Sequence, residues 1–225
     1  MAGWHRHDGL AAALPLANVD TDQLIPARFM SVPRSEGYAD YLLHDVRRDD
    51  TGALRSDFNL NNTPQASVLI AGANFGGGSS REAAVYALVD AGFRAVFSPS
   101  FGDIFASNAI NNSLLPARID DETYTALLAL VGQSTCPVRI DLKAGRATFD
   151  NKVVDFALDD TWRTKLINGW DDIDLTQQHA PEIANFGDIY AQAAPWAAPR
   201  YLIETRSICC TNRHLGGVIQ KGRKV

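Results

Sequence analysis

The sequence predicts an α/β fold, and two observations near its middle support that prediction. Residues 67–73 and residues 94–98 are short apolar runs of the kind that form buried strands. Between them, Ala84 and Leu88 recur at the spacing of one helical face, and Gly92 supplies a typical helix stop. Strand, helix and strand in close succession favour two parallel strands joined by a crossover helix.

Helices and strands are predicted in alternation along the rest of the chain. The helices are expected at residues 101–112, 120–131, 161–168 and 181–193. Three short strands are expected at residues 138–142, 146–149 and 153–156, with a turn between the first two. Residues 10–30 hold apolar segments around an Asp- and Thr-rich turn, and residues 31–64 form a long, polar and mostly irregular loop.

Composition and charge limit the class of protein. The chain has 225 residues, of which 46% are hydrophobic and 21% charged, as in a globular protein with an ordinary core. The net charge of −5 argues against a nucleic-acid partner. No apolar run approaches the roughly 20 residues needed to cross a bilayer, and the N-terminus lacks a signal-peptide pattern. We therefore expect a cytoplasmic protein without a membrane partner.

The cysteines give no sign of a metal centre. Cys136, Cys209 and Cys210 occur without any Cys-x-x-Cys spacing. This pattern argues against a disulfide framework and against a zinc or cluster site built by the chain alone. We therefore predict that the chain contributes no metal ligand.

A change in charge divides the chain near residue 197. Residues 197–225 contain six basic residues and one acidic residue, Glu204, for a net charge of +5, which leaves −10 for residues 1–196. We expect residues 1–196 to form one domain. Residues 197–225 are expected to be a basic tail, either disordered or an arm that contacts an acidic surface.

The strongest chemical feature is the segment Asn-Phe-Gly-Gly-Gly-Ser-Ser-Arg-Glu at residues 74–82, between a predicted strand and a predicted helix. Glycines let the backbone approach a ligand closely, and a helix N-terminus offers unpaired N–H groups to an anion. Arg81 adds a guanidinium that can hold a carboxylate or phosphate by two hydrogen bonds. A second interpretation remains open: Ser79 or Ser80 caps the helix, and Glu82 closes a capping box with Ser79.

Three familiar glycine loops are excluded by individual positions in this segment. A P-loop needs Lys before Ser or Thr, and no Lys is present. A dinucleotide fingerprint and a nucleophile elbow both need glycine where this chain has Arg81.

The segment resembles the loop of the swivelling domain of the aconitase superfamily. Asn-Val-Asp-Thr-Asp-Gln-Leu-Ile-Pro at residues 18–26 looks like the opening motif of the 3-isopropylmalate dehydratase small-subunit family. Phe-Gly-Asp-Ile-Phe at 101–105, Asn-Asn-Ser-Leu-Leu-Pro at 111–116 and Asn-Gly-Trp-Asp-Asp-Ile at 168–173 are similar to the same family. The resemblance runs from about residue 10 to residue 193. It implies a single swivelling β/β/α domain of the aconitase C-terminal-domain type.

That resemblance also implies a function. Members of the family are small subunits of a heteromeric hydro-lyase that isomerises 2-isopropylmalate and 3-isopropylmalate by dehydration and rehydration in leucine biosynthesis. A [4Fe–4S] cluster is expected on the large partner subunit, and no cofactor on this chain. By resemblance, Ser79 is the general base and Arg81 holds a carboxylate of a small diacid substrate. The substrate-binding residues implied in addition are Ser80, Gly78, Arg28, Thr21 and Asp22.

Two positions depart from the family pattern and leave alternatives open. Gly77 stands where the family usually has Cys, and Ala83 stands where it usually has His. One alternative is the small subunit of a related hydratase that acts on a smaller diacid, such as methylmalate or dimethylmalate. The other, from a different class, is a non-catalytic module that binds an anion at the same helix N-terminus.

Overall fold

A seven-stranded mixed sheet forms the centre of the computed structural model, which describes residues 3–78 and 81–197. Its strands are β1 (Arg6–Leu14), β2 (Val68–Ala71), β3 (Ala95–Ser98), β4 (Leu115–Arg118), β5 (Thr135–Asp141), β6 (Arg146–Phe149) and β7 (Lys152–Asp155). They lie in the order β4-β3-β2-β1-β5-β6-β7. The pairs from β4 to β1 are parallel, and the pairs from β1 to β7 are antiparallel.

The α-helices of the described residues are α1 (Thr21–Leu24), α2 (His44–Arg47), α3 (Asn59–Asn62), α4 (Glu82–Asp90), α5 (Asp103–Asn111), α6 (Asp121–Val131), α7 (Asp160–Asn168), α8 (Asp172–Gln177) and α9 (Ala180–Ala193). Short 3-10 turns occur at Ala27–Ser31, Arg34–Glu36, Ala39–Tyr41 and Pro195–Ala197. Local capping explains two of the helix starts: the Asp120 carboxylate accepts from a backbone N–H of α6, and the Asp159 carboxylate accepts from two in α7.

Both faces of the parallel half of the sheet are buried. Successive side chains of a strand point to opposite faces, so Leu14 and Leu69 join one core cluster and Ala13 and Ile70 join another. The first cluster includes the buried face of α4, and the second includes residues of α6 such as Leu127. This two-sided burial explains why β2 and β3 appear in the sequence as continuous apolar runs.

Most of the predicted elements are confirmed, including the parallel pair β2 and β3 joined through α4. The predicted turn after β5 is also confirmed, since β5 and β6 pair antiparallel. Two strands were not predicted. β4 contains Pro116, which normally argues against a strand but is tolerated here because β4 lies at the edge of the sheet. The first half of β1 is polar and only partly covered, so it lacks an apolar run.

The start of α4 differs from the prediction. The capping interpretation needs Ser79 or Ser80 at the N-cap and, for the capping box, Glu82 as the third helical residue, whereas the observed helix begins at Glu82, so that interpretation is wrong. Arg81 occupies the N-cap position with an extended backbone, at φ −132° and ψ 102°. Ser79 and Ser80 lie outside the described residues.

The contacts divide the described residues into two units, with the boundary between Leu175 and Thr176. The first unit contains the whole sheet, and α9 belongs to the second. The predicted boundary between residues 196 and 197 adjoins the end of the described residues and stays a prediction, as does the character of the tail. Across residues 3–78 and 81–197, no helix combines the length and the apolar character needed to cross a membrane.

Candidate active site

Loops from three adjacent parallel strands meet at one edge of the sheet. They follow the carboxyl ends of β1, β2 and β3, and they contain residues 18–22, 74–78 and 100–103 respectively. The carboxyl edge of a parallel sheet is where α/β proteins place their ligands. The two motifs that the sequence singled out, residues 18–26 and residues 74–82, therefore belong to neighbouring loops.

The loop after β1 is bound to the loop after β2 through the backbone. The Asn18 N–H donates to the Ala73 carbonyl at 2.8 Å, and the Gly76 N–H donates to the Val19 carbonyl at 2.7 Å. The Thr21 N–H donates to the carbonyl of Gly77 at 3.1 Å. These bonds hold the Asp-Thr-Asp turn against the glycines at a fixed register, which sequence spacing alone could not establish.

The loop after β3 supports the glycines from the other side. Phe75 donates its N–H to the Ser100 carbonyl and accepts from the Gly102 N–H, both at 3.0 Å. The rings of Phe75, Phe101 and Phe105 form a cluster with centroid separations of 5.4 to 6.4 Å. Gly76 has φ +72°, and a Cβ there would stand 2.2 Å from Cγ of Phe105. Only glycine fits this position, because the conformation is left-handed and the ring already fills the space.

A carboxylate on α1 meets the guanidinium at the start of α4. The Asp20 side chain accepts from the Gln23 N–H at 2.7 Å and, with the Gln23 side chain, forms a capping box that fixes this short helix. Asp22, in the first turn, forms an ion pair with Nη1 of Arg81. The side chain of Arg81 is 21% exposed and that of Asp22 is 53% exposed. Arg81 is thus held in a mostly covered position by a partner that remains open to solvent.

A cavity of about 180 Å³ lies beside this ion pair. The residues that line it are Thr21, Gly76, Gly78, Arg81, Gly102, Asp103, Ile104 and Phe105. Glycine backbone and the Arg81 guanidinium form one part of the lining, which suits a carboxylate, and the Asp103 side chain lies in another part. The volume is below the range of about 300–1,000 Å³ typical of drug-sized ligands, which suits a small ligand.

Several residues predicted for the site are brought together, and others are not. Thr21, Gly78 and Arg81 line the cavity, and Asp22 contacts Arg81. Ser79 and Ser80, the predicted base and its neighbour, lie outside the described residues, so their roles stay predictions.

Arg28 lies on the surface in a different setting. Its guanidinium forms a double hydrogen bond with Asp45 and stands 4.5 Å above the ring of Phe29. The hydrogen bonds from Arg28 and His44 lower the pKa of Asp45 to about 2. Arg28 does not line the 180 Å³ cavity, and its proposed contact with substrate stays a prediction.

The two departures from the family pattern lie behind the cavity surface. Ala83 is 8% exposed and belongs to the core cluster on the α4 face of the sheet. At Gly77, a Cβ would lie 3.0 Å from Oδ1 of Asn74, so a larger residue would require a small shift of that side chain. Neither Gly77 nor Ala83 lines the cavity.

Sequence reasoning missed the wall that α5 contributes. Gly102, Asp103 and Ile104 line the cavity, although they follow a strand whose role in the site was not recognised. The predicted parallel pairing of β2 and β3 could have indicated this wall, because adjacent parallel strands end at the same edge of the sheet and the loop after β3 therefore lies beside the loop after β2.

Cysteine and metal chemistry give no further site in the described part of the chain. Cys136 is buried, and desolvation raises the pKa of its thiol, which disfavours the thiolate that metals bind. Within residues 3–78 and 81–197, no group of three His, Cys, Asp or Glu side chains is arranged to hold a metal ion. These residues therefore do not fit an iron–sulfur cluster. Cys209 and Cys210 lie outside the described residues.

Fold and site together define an aconitase C-terminal domain, and residues 1–122 match the family model of that description. The small subunit of 3-isopropylmalate dehydratase from Halalkalibacterium halodurans is 40% identical over 183 residues, which cover 80% of this chain and 94% of the relative. The corresponding subunit from Rhodospirillum centenum is 40% identical over 193 residues, covering 84% and 95%. The chain belongs to the 3-isopropylmalate dehydratase small-subunit family, of the aconitase-type hydro-lyases, and the predicted family is confirmed.

A solved structure agrees with the fold. The crystal structure of 3-isopropylmalate dehydratase from Methanocaldococcus jannaschii superposes with a TM-score of 0.59 over 80% of this chain and 98% of the other. Its sequence identity is 23%, so it bears on the fold alone. The swivelling-domain fold predicted from the sequence is confirmed.

Proposed function

We propose that this chain, together with a large partner subunit, isomerises 2-isopropylmalate and 3-isopropylmalate. Water leaves a hydroxy diacid and is added back at the neighbouring carbon. The observation that supports this most directly is Arg81, whose guanidinium lines a small cavity together with the backbone of Gly76 and Gly78. The relatives at 40% identity carry the name of this dehydratase.

Arg81 is proposed to hold a carboxylate of the substrate. A guanidinium has five N–H donors, so its ion pair with Asp22 leaves donors for a second carboxylate. Asp22 fixes the orientation of the guanidinium before the substrate arrives, which lowers the entropy lost on binding. The glycine backbone beside it lets the substrate approach the main chain closely.

Ser79 is proposed as the general base that removes the carbon-bound proton. A hydroxyl near the pKa of water would need a drop of about 8 units to ionise at neutral pH, or roughly 11 kcal/mol. A helix N-terminus contributes at most about 2 kcal/mol. Backbone N–H donors, Arg81 and a closed, water-poor site must therefore share the activation.

A large partner subunit is proposed to complete the site. The small-subunit names of the relatives support such a partner, and we assign the [4Fe–4S] cluster to it because the described residues of this chain do not fit one. When bound, the cluster supplies a Lewis acid that polarises the departing hydroxyl. We expect the isolated chain to be inactive, and the cytoplasmic location expected from the sequence stays a prediction.

The test is a pair of substitutions in the reconstituted two-subunit enzyme. Ser79→Ala should lower kcat by about 10²–10⁴-fold with little change in KM, because a base acts in the transition state. Arg81→Lys keeps the charge but loses the planar fork, so it should raise KM and also lower kcat. Ser134→Ala and Arg55→Lys are matched controls outside the cavity and should leave both constants unchanged.

A purely structural role for Ser79 predicts a different result. If Ser79 only stabilises the loop that precedes Arg81, the N-cap of α4, Ser79→Ala lowers the melting temperature and leaves turnover nearly intact. Thermal melting beside the steady-state assay separates the two. Wild-type turnover on a smaller diacid, with none on either isopropylmalate, would instead support the related hydratase. Turnover on no diacid in the presence of the large subunit would leave only an anion-binding module.

A further inference from the structure

A second cavity, of about 470 Å³, opens beside the first and has no part in the proposed reaction. It lies between the end of β4, the start of α5 and the segment that leads into α7. The volume falls within the range of about 300–1,000 Å³ typical of small-molecule sites. It is large enough for a ligand with a substantial side chain.

Apolar side chains form most of its walls. Phe101, Phe156, Leu158 and Trp162 all line the cavity. Phe156 is 6% exposed and packs edge-to-face against Phe97, so its ring belongs to the core. Aromatic walls of this kind favour an apolar or aromatic body in the ligand.

Four charged side chains also line the cavity, and two of them are already engaged. Arg163 donates to two backbone carbonyls, and the Asp159 carboxylate caps α7. Arg118 and Asp103 are different: neither makes an ion pair or a side-chain hydrogen bond with another residue in the described ranges. As far as the described residues show, the cavity therefore offers one cation and one anion without a side-chain partner, beside an apolar wall.

We propose that this cavity binds an α-amino acid with a large apolar side chain. The carboxylate of the ligand pairs with the guanidinium of Arg118, and its ammonium group pairs with the carboxylate of Asp103. The side chain of the ligand packs against Phe101 and Trp162. A zwitterion matches both free charges at once, whereas a simple carboxylate or a simple amine would leave one of them facing a like charge or nothing.

Three ligands with the same aromatic body test the assignment by isothermal titration of the full chain. They are L-phenylalanine, 3-phenylpropanoate, which lacks the ammonium group, and phenethylamine, which lacks the carboxylate. L-Phenylalanine should bind with a dissociation constant of about 1 mM or below. Each analogue should bind at least about tenfold more weakly, because one charge-assisted hydrogen bond is lost.

Two substitutions should separate the two charges. Arg118→Gln should weaken L-phenylalanine and 3-phenylpropanoate by about tenfold or more and leave phenethylamine unchanged. Asp103→Asn should weaken L-phenylalanine and phenethylamine and leave 3-phenylpropanoate unchanged. Arg146→Gln and Asp57→Asn, both at exposed ion pairs outside the cavity, are the controls and should bind like the wild type.

The proposal is overturned if L-phenylalanine shows no saturable binding to the wild-type chain. It is also overturned if affinity is the same in Arg118→Gln, or if it is lost in Arg81→Gln while Arg118→Gln binds normally. The last result would place the ligand at the glycine loop. Arg118 and Asp103 are both exposed, and thermal melting checks that the variants at these two positions fold. If Arg118→Gln does not fold, Arg118→Lys takes its place in the titration. It should lose part of the affinity for L-phenylalanine, because lysine lacks the planar guanidinium fork.

Discussion

Replacing Gly76 by alanine tests the packing beneath the candidate site. Gly76 has φ +72°, and an added Cβ would stand 2.2 Å from Cγ and 2.5 Å from Cδ2 of Phe105. Phe105 is 3% exposed and packs edge-to-face against Phe75, so its ring has little room to retreat. Gly76→Ala therefore combines a left-handed backbone with an overpacked core.

Gly52 separates these two effects. It has φ +85°, and a Cβ there would meet nothing within 4 Å. A left-handed residue with a Cβ costs about 1–2 kcal/mol, and the lower entropy of the unfolded chain offsets about 0.4–1 kcal/mol. We expect Gly52→Ala to cost about 1 kcal/mol in the free energy of unfolding. Overpacking adds about 1–3 kcal/mol, so Gly76→Ala should cost about 2–4 kcal/mol in total.

Denaturant unfolding and thermal melting measure this difference directly. For a chain of this size, about 1 kcal/mol corresponds to about 2–4 °C in Tm, so Gly76→Ala should lower Tm by roughly 4–16 °C. In the reconstituted enzyme it should also lower turnover, since Gly76 lines the cavity, while Gly52→Ala should not. Equal destabilisation by the two substitutions would refute the packing argument, because backbone conformation would then account for the whole effect.

Two further predictions concern charged pairs. Lys165 has a side chain 3% exposed and bonds to Asn111 and Asp172 at 2.6 Å each, while the Asp172 side chain is 72% exposed. Asp172→Ala should therefore lower the free energy of unfolding by about 2–3 kcal/mol, because it leaves the buried ammonium of Lys165 poorly paired. Lys165→Met removes that ammonium and should lower the free energy of unfolding by only about 1 kcal/mol. Urea unfolding that gave the reverse order would contradict this. The pKa of Asp45, lowered to about 2 chiefly by Arg28, should rise toward its ordinary value in Arg28→Gln, as followed by NMR titration. The folded-state pKa of Asp45 is depressed, so the pair stabilises the fold above about pH 4, and its contribution is lost as the pH falls through about 2. The contribution should be small and salt-sensitive, because both side chains are exposed. An unchanged pKa of Asp45 in Arg28→Gln would exclude this pairing in solution.

The sequence by itself determined the strand–helix–strand unit around the glycines. β2, α4 and β3 were predictable because their apolar periodicity and the glycine stop are local properties, encoded within a few residues of each position. The presence of Arg81 beside a helix start was predictable for the same reason. The motifs at residues 18–26 and 74–82 also identified the family that the comparisons confirm.

Tertiary structure alone decided where β1 and β4 pair in the sheet and which side chains meet. β1 lies between β2 and β5 and joins the parallel half of the sheet to the antiparallel half, although its polar first half gives no local strand signal. The contact of Asp22 with Arg81 depends on backbone bonds between two loops far apart in the chain. Asp103 lines both cavities only because the folded chain brings its loop beside loops that are distant in the sequence. Such contacts escape a local pattern because their free energy comes from partners that only the folded chain brings together.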